Sequence, residues 1–178
     1  KKRYRYHLPF IKPIQYPKTE LPLDPYFLGL WLGDGSSTKP CITHDPKDIE
    51  SIEHIPYKIS TICTHTETGV KTTYFSHQGI IKKIKELHLY NNKHIPRIYL
   101  EACVEDRLQL LAGLIDSDGS VDKNGRVRFI NINKQLIHDV FELCTGLGLY
   151  PYFHVRKKED YKRNSKYNIK STHDAYVV

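Results

Sequence analysis

The sequence has no long apolar run, and its cysteines form no close pair. No apolar stretch approaches the roughly 18 residues that are needed to cross a bilayer, and the basic start KKRYRYHLPF has no apolar core of the secretory kind. The four cysteines lie too far apart for a zinc site, and the ten histidines show no ligand spacing. These absences exclude a membrane span and predict buried free thiols in an intracellular protein, which works in the reducing nucleus or cytoplasm.

Methionine is also absent and tryptophan occurs once, whereas 13 tyrosines and 6 phenylalanines supply flat, rigid side chains. Such side chains suit nucleotide contacts and β-sheet cores equally well. The 27 basic residues outnumber the 20 acidic ones and give a net charge of +7, which favours a polyanionic partner or serves solubility alone. The 178 residues allow one core, or two halves of about ninety residues that share an interface.

The predicted elements occur in the same order twice. Prolines at four positions before Leu23 predict an extended basic leader over residues 1–23. Each copy then begins with a helix that ends in Asp-Gly, and strand and helix patterns follow. The first copy predicts helices at 24–34, 46–55 and 78–90 and a hairpin of strands 57–65 and 70–76; the second predicts a helix up to Gly119, a hairpin around 121–133, a helix at 134–146 and strands at 150–158 and 165–171.

These copies predict two repeats, at residues 24–103 and 104–178. In the first repeat, a helix and a connector follow the last strand. In the second, only seven residues follow Ser171. The second repeat is therefore expected to lack its last helix.

Two nine-residue stretches, FLGLWLGDG (27–35) and LAGLIDSDG (111–119), correspond in detail. Gly29 aligns with Gly113 and Asp34 with Asp118, at an offset of 84 residues. A glycine inside a helix costs about 1 kcal/mol relative to alanine, and it is tolerated where another backbone must approach closely. The repeated glycines therefore predict that the two helices pack on each other.

Packing of these helices would bring Asp34 and Asp118 together at their C-terminal ends, with backbone carbonyls such as those of Gly33 and Ser117 beside them. Such a concentration of negative charge requires divalent cations, and hard oxygen ligands favour Mg²⁺ over zinc. The alternative is that Asp-Gly merely ends each helix and that both carboxylates are solvated. That alternative leaves the repetition unexplained.

The segment LLAGLIDSDG (110–119) resembles the signature of the LAGLIDADG homing endonucleases, with eight of its nine letters in place. DPYFLGLWLGDG (24–35) resembles the first copy of the motif in the single-chain, intein-associated members. NKHIPRIYLEA (92–102) resembles the Lys-x-Ile-Pro block that these members carry before the second motif.

The resemblance implies an α+β fold, a pseudo-two-fold pair of αββαββ(α) repeats. The motif helices would form the central interface, and two curved antiparallel sheets would form a saddle on double-stranded DNA. It also implies a monomer, without membrane association, that hydrolyses both strands at a long, specific site. Asp34 and Asp118 would hold the divalent metal, Mg²⁺ or Mn²⁺ as its substitute.

Lys93 matches the catalytic-region lysine of the Lys-x-Ile-Pro block, where a cation polarises the attacking water or the phosphate. The alternative is a solvated surface lysine. The offset of 84 gives Val177 as its counterpart, so the second repeat lacks this lysine. Neither Lys1 nor the last residues match the splicing ends of a whole intein. If the chain derives from an intein, it is therefore expected to be the nuclease part, whole or truncated. Its leader is then the stump of a splicing domain or an additional DNA contact.

The predicted strands supply candidate DNA contacts, because a two-stranded ribbon fits the major groove and directs every second side chain toward it. In strand 150–158, Phe153 and Val155 suit the core. A charged outer face is also typical of any half-exposed sheet. The candidates are Lys58, Lys71, Thr73, Arg126, Arg128, Tyr152, His154, Arg156, Lys158, Lys166, Asn168 and Lys170, and Lys162 and Arg163 suit phosphate contacts.

Three functions are compatible with the sequence. The first is a Mg²⁺-dependent, site-specific DNA endonuclease. The second is a DNA- or RNA-binding module on the same fold that does not cut, such as a maturase or a transcription regulator. The third is a generic basic α/β protein whose glycines serve packing only. Retention of both Asp34 and Asp118 favours the first over the second, and the third does not explain the repeated motif.

Overall fold

Two antiparallel sheets and six helices make up the α+β fold seen in the computed structural model, which describes residues 9–76, 79–158 and 173–178. Within these residues, none of the helices has the length and apolarity that a membrane crossing requires. The elements are α1 (Pro25–Asp34), β1 (Cys41–His44), a 3₁₀ turn (Pro46–Asp48), α2 (Ile49–Glu53), β2 (Ile59–Thr64), β3 (Lys71–Phe75), α3 (Ile80–Glu86), α4 (Arg97–Leu100), α5 (Val104–Asp118), β4 (Gly119–Val121), β5 (Val127–Asn131), α6 (Lys134–Gly146), β6 (His154–Arg156) and β7 (Ala175–Val177).

Both motif helices form where the sequence predicts them. The Asp24 side chain caps α1 by accepting a hydrogen bond of 2.8 Å from the backbone N–H of Phe27, and Pro25 occupies the first turn. The acidic residues Glu105 and Asp106 lie in the first turn of α5, where the helix dipole favours negative charge. At their other ends, α1 ends at Asp34 and α5 ends at Asp118, as the motif predicts.

The glycines that follow these helices serve close packing. Gly35 and Gly119 have extended backbones, with φ of −78° and −84°, which any residue can adopt. A methyl group on Gly35 would lie 2.5 Å from Cδ1 of the Trp31 ring, and one on Gly119 would lie 2.6 Å from Cα of Ile115. A side chain at either position would therefore collide with the preceding helical turn.

The helices α1 and α5 pack against each other at Gly29 and Gly113. A Cβ on Gly29 would lie 2.9 Å from Cα of Gly113 and 2.8 Å from the backbone nitrogen of Leu114. A Cβ on Gly113 would lie 2.9 Å from the backbone nitrogen of Leu30. Because every one of these neighbours is backbone, neither helix can make room by moving a side chain.

The hydrophobic core extends to both sides of this helix pair. On the side of the first repeat, Phe27 stacks edge-on against Phe75, with ring centroids 5.5 Å apart. On the side of the second repeat, the buried face of α6 covers Phe129 of β5. Each fully buried apolar side chain of this kind contributes roughly 1.5–3 kcal/mol. The other large members include Trp31, Ile80, Ile84, Leu110, Leu114, Leu136, Val140 and Leu143.

The two sheets have corresponding topologies. The first has the order β1-β3-β2 and the second the order β4-β5-β7-β6, so β1, β3 and β2 correspond to β5, β7 and β6. The bridge between Gly35 and Ile42 corresponds to the pairing of Gly119 with Phe129. The pseudo-two-fold arrangement is therefore present, but the first hairpin of the first repeat is reduced to this single bridge.

The offset between the repeats is not constant. Asp34 and Asp118 are 84 residues apart, and Ile42 and Phe129 are 87 apart. Thr73, which pairs with Ile42, corresponds to Val178, whose backbone N–H donates to the Phe129 carbonyl at 3.0 Å. Insertions within the second repeat thus change the register, and the expectation that Val177 is the counterpart of Lys93 is wrong. Val177 lies buried in β7, paired with Ile130 and His154.

Three short elements were not predicted from the sequence. These are β1, α4 and β7, of four, four and three residues. Such lengths are too short for a periodic pattern to develop. The predicted strand at 165–171 lies outside the described residues.

The leader residues 9–18, which we call the strap, lie on the second repeat. The backbone N–H of Ile14 donates to the carbonyl of Gly146 at the end of α6, at 2.9 Å. Arg107 of α5 is 1% exposed and donates to the carbonyls of both Gly146 and Ile14. Its guanidinium also lies 5.2 Å from the centre of the Tyr16 ring. The strap therefore connects α5 and α6 before the chain enters α1.

Candidate metal centre and nucleic-acid interface

The ends of α1 and α5 touch where the two motif aspartates lie. A Cβ on Gly33 would lie 2.5 Å from Cβ of Ser117, so these positions are in direct contact. The Ser117 hydroxyl donates back along its own helix, at 3.0 Å to the carbonyls of Gly113 and Leu114. The crossing at the glycines thus brings the two C-terminal ends to one place.

The two carboxylates influence each other there. The pKa of Asp34 is raised to about 6, first because the surrounding protein removes water from it and second because of the negative charge of Asp118. Burial also raises the pKa of Asp118, against the hydrogen bond from Asn131 and the charge of Lys93, which both lower it. Burial and mutual repulsion therefore make it costly to keep both carboxylates charged when no cation is bound.

Lys93 lies at the same centre and is not a solvated surface lysine. Its Nζ donates to the carbonyls of Gly33 at 3.0 Å and Gly35 at 2.7 Å. It also lies 5.4 Å from the centre of the Trp31 ring. Burial lowers its pKa to about 8, although Asp118 and Asp34 favour the charged form. The Lys-x-Ile-Pro block thus places a cation at the negative end of α1.

The donors at this centre fit a hard divalent cation. Among the described residues, no group of three or more His, Cys, Asp and Glu side chains is arranged to hold a metal ion. The protein therefore offers two carboxylates, and any further ligands have to be backbone carbonyls, water or a bound molecule. Oxygen-only donors with an open coordination shell are typical of Mg²⁺ and related ions. The Gly33 carbonyl already accepts from Lys93, so a cation would have to share it.

A third carboxylate of the motif, Asp116, has a different partner. It accepts a hydrogen bond of 2.8 Å from the hydroxyl of Tyr26 at the other end of α1. Its counterpart in the first repeat is Leu32. Asp116 therefore links the two helices.

In the second sheet, several candidate DNA contacts share the face opposite the core. Strand register places Arg128, His154 and Arg156 on the side of β5, β7 and β6 that faces away from Phe129. Arg128 forms an ion pair of 3.0 Å with Asp122, and the exposed Arg126 precedes this strand. The structure thus places three of the predicted DNA contacts on one face of the second sheet, with Arg126 just before it.

The residues of the predicted strand 150–158 differ in exposure. Tyr152 is 77% exposed and stacks on His154, while Lys158 is exposed and its backbone N–H donates to Asp174. Phe153 packs against the core as expected. Val155 does not, because β6 is an edge strand and leaves it exposed.

In the first sheet, the choice of face was wrong for Thr73. It is fully buried on the face of Ile42 and Phe75, and its hydroxyl bonds to Nε2 of His44 at 2.9 Å. Lys71 shares this face by alternation and is half-buried. The remaining candidate, Lys58, is exposed just before β2.

The opposite face of the first sheet contains hydroxyl groups that sequence reasoning missed. Thr72 of the central strand lies within hydrogen-bond distance of Thr43 at 3.2 Å and of His65 at 3.1 Å. The alternation of Lys71, Thr73 and Phe75 was the signal that could have identified this face. The second-sheet candidates Lys166, Asn168 and Lys170, with Lys162 and Arg163, lie outside the described residues.

Two further side chains at the centre, Asn131 and Asn133, were also missed. Asn131 donates to Oδ2 of Asp118 at 2.7 Å, and Asn133 donates to the backbone carbonyl of Lys93 at 2.6 Å. Their only signal in the sequence is a pair of amides between a strand and a helix, in FININ.

The raised pKa of Asp34 predicts a pH dependence of stability in the metal-free protein. Its pKa is about 6 in the folded state, against an ordinary 3.8. The protonated carboxyl therefore stabilises the fold fully below about pH 4, and this contribution is lost as the pH rises through about 6. Asp34→Asn is expected to raise the melting temperature in EDTA by a few degrees at about pH 7.5 and to leave it unchanged near pH 4, as measured by circular dichroism.

Asp116→Asn is the control for this effect, because it neutralises a carboxylate of the same helix pair that bonds to Tyr26. It is expected to give no stabilisation at about pH 7.5. An equal effect of Asp34→Asn at both pH values would contradict the interpretation.

The chain matches several known proteins. Residues 105–177 match the family of LAGLIDADG-like domains. The replicative DNA helicase DnaB of Mycobacterium intracellulare is 36% identical over 138 residues, which are 77% of this chain and 21% of the helicase. The homothallic switching endonuclease of Saccharomyces cerevisiae is 26% identical over an alignment of 188 residues, covering 86% of this chain and 32% of the relative. The chain thus spans about a fifth to a third of the length of these curated relatives.

Solved structures show the same fold. The crystal structure of I-DmoI in complex with DNA and Ca has a TM-score of 0.56 at 18% identity, covering 86% of this chain and 80% of that chain. The complex of I-DmoI with DNA and Mn has a TM-score of 0.51 at 20% identity, covering 86% of each chain. The duplicated motif, the domain match and this fold agree: residues 105–177 belong to the family of LAGLIDADG-like domains, and the described chain has the fold of I-DmoI.

Proposed function

We propose that this chain is a site-specific DNA endonuclease that cuts both strands of a long target. The observation that carries the proposal is the meeting of Asp34 and Asp118 at the crossed helix ends, beside the half-buried cation of Lys93. Two crowded carboxylates next to a lysine are costly for stability alone, whereas they suit phosphodiester hydrolysis. The name of the switching endonuclease and the DNA complexes of I-DmoI support the same activity.

Asp34 and Asp118 hold the catalytic metal in this proposal, with the carbonyls of Gly33 and Ser117 as further candidate ligands. A divalent cation, Mg²⁺ or in its place Mn²⁺, supplies electrostatic stabilisation and activation of water at the scissile phosphate. Lys93 adds a positive charge on the side of α1, and its two bonds to backbone carbonyls fix its position. The Ca and Mn complexes of I-DmoI support a divalent ion but do not select Mg²⁺.

Both sheets contact the DNA in this proposal, one for each half of the target. Because one chain contains both sheets and both aspartates, it acts as a monomer. The second sheet offers arginines, which suit bidentate contacts to guanine and to phosphate. The first sheet offers the neutral hydroxyl of the exposed Thr43, which lies 3.2 Å from the hydroxyl of the buried Thr72. The two halves of the target are therefore read by different chemistry.

The chain is further proposed to derive from an intein. Its relatives include a helicase, an endonuclease and an iron–sulfur cluster assembly protein of Mycobacterium leprae, which is 26% identical over 71% of this chain but only 16% of its own length. A segment shared by proteins of such different names is expected of an element inserted into its hosts. The repeats at 24–103 and 104–178, with the leader before them, form its nuclease part.

The experiment is a selection of cleaved sites from a random duplex library, with Mg²⁺, Mn²⁺, Ca²⁺ or EDTA. The proposal expects one long target sequence cut on both strands with Mg²⁺ or Mn²⁺ and no cutting in EDTA. A protein that binds a sequence tightly but cuts no duplex with any metal would overturn it in favour of the binding module.

A further inference from the structure

Two asparagines connect the candidate metal ligand of the second repeat to Lys93. Nδ2 of Asn131, at the end of β5, donates to Oδ2 of Asp118 at 2.7 Å. Oδ1 of the same amide accepts the backbone N–H of Asn133 at 2.9 Å. Nδ2 of Asn133 then donates to the backbone carbonyl of Lys93 at 2.6 Å. These three hydrogen bonds form a continuous relay from Asp118 to Lys93.

The relay is anchored at α6. Oδ1 of Asn133 accepts the backbone N–H of Leu136 at 3.2 Å and so caps this helix. One helical turn later, the buried Asp139 accepts the backbone N–H of Ile95 at 2.8 Å. The Lys-x-Ile-Pro block belongs to the first repeat in sequence, but an element of the second repeat holds its backbone on both sides.

The first repeat has no equivalent of this arrangement among the described residues. Strand register makes His44 the counterpart of Asn131. Nε2 of His44 bonds to the Thr73 hydroxyl and Nδ1 lies 2.9 Å from the carbonyl of Asp45. Both ring nitrogens therefore have partners within the first repeat, and neither partner is Asp34.

We propose that Asn131 and Asn133 are positioning residues that hold Asp118 and Lys93 as one unit, an inference that rests on the proposed endonuclease function. Asn131 fixes the plane of the Asp118 carboxylate, and its bond uses one lone pair of Oδ2 while the others remain available to a cation. Asn133 fixes the backbone from which the Lys93 side chain extends. Partners of this kind orient metal ligands, and their loss typically weakens metal affinity or activity about 10- to 100-fold.

Two variants separate this role from folding. Asn131→Leu removes the donor to Asp118 with little change in shape. Asn133→Asp keeps an oxygen that caps α6 but removes the donor to the Lys93 carbonyl. The matched control is Asn92→Asp, the same chemical change next to Lys93 in an amide that bonds to the His88 carbonyl at 3.1 Å.

The measurements are metal-free DNA affinity, Ca²⁺ binding to the protein–DNA complex by calorimetry, and single-turnover cleavage across a Mg²⁺ series. Asn131→Leu is expected to weaken Ca²⁺ binding and to raise the Mg²⁺ requirement about tenfold, with unchanged metal-free DNA affinity. Asn133→Asp is expected to slow cleavage about tenfold at saturating Mg²⁺. Because the pair acts as one unit, the cleavage rate of the double variant should fall by no more than about twice the factor seen in the more severe single variant.

Unchanged Ca²⁺ binding and Mg²⁺ requirement in a folded Asn131→Leu protein would overturn the relay, as would equal losses in Asn92→Asp. If Asn131→Leu does not fold, Asn131→Ser serves the same comparison. Wild-type protein that binds Ca²⁺ and DNA but cuts no duplex would instead refute the endonuclease function, and the calorimetric comparison still decides the relay.

Discussion

Asp118→Asn is expected to abolish double-strand cleavage, with a rate at least about 1000-fold below wild type, and to leave specific DNA binding largely intact. A neutral amide is a poor ligand for a hard cation, and loss of about 4 kcal/mol of transition-state stabilisation corresponds to that factor. The asparagine oxygen can still accept the hydrogen bond from Asn131, so the fold is preserved. The measurement is conversion of a supercoiled plasmid that carries the target into nicked and linear forms.

Asp116→Asn is the matched control, because it makes the same change two residues earlier in α5. Asp116 bonds to Tyr26 across the helix pair, and its variant is expected to cut within about threefold of wild type. Linearisation of the plasmid by Asp118→Asn at the wild-type rate would refute the metal assignment.

Gly113→Ala is expected to lower the free energy of unfolding by about 3 kcal/mol, the upper range of overpacking effects. Helix propensity alone predicts the opposite, a gain of about 1 kcal/mol. The added methyl would overlap the backbone of α1, where the nitrogen of Leu30 lies 2.9 Å away. Urea unfolding followed by circular dichroism measures the change.

Ala112→Gly is the control, because it removes a methyl group at an exposed neighbouring position of α5, whereas Gly113→Ala adds one at a buried position. It is expected to cost only about 1 kcal/mol, from helix propensity. Gly113→Ala is also expected to cut at least about 100-fold more slowly, because separated helix ends displace the carboxylates. An unfolding free energy equal to or above wild type in Gly113→Ala would show that the two backbones are not in contact.

The motif helices were predictable from the sequence because their signals are local. A capping Asp24, an early Pro25 and apolar residues up to Asp34 define α1 without any knowledge of the rest of the chain. The repeated Gly29 and Gly113 then indicate how the helices cross. The place where the carboxylates meet therefore follows from adjacent residues.

The remaining features depend on contacts between distant segments. The partners of Asn131 and Asn133 are 13 and 40 residues away, so no local pattern indicates the relay. Alternation divides β3 into two faces but does not by itself say which face is buried, and this is why Thr73 was placed wrongly. A single offset failed at Val177 because loops of different length separate the strands of the two repeats.

The strap has a consequence for dividing the molecule. A cut between the repeats, near Cys103, would leave residues 9–18 on the amino-terminal piece, although they pack on Arg107 and Gly146 of the other. Each fragment would then expose surface that its partner normally covers. The second half, produced alone, is therefore expected to fold only after the separately produced first half is added. A permuted chain that begins at Val104 and closes onto the strap would retain this packing.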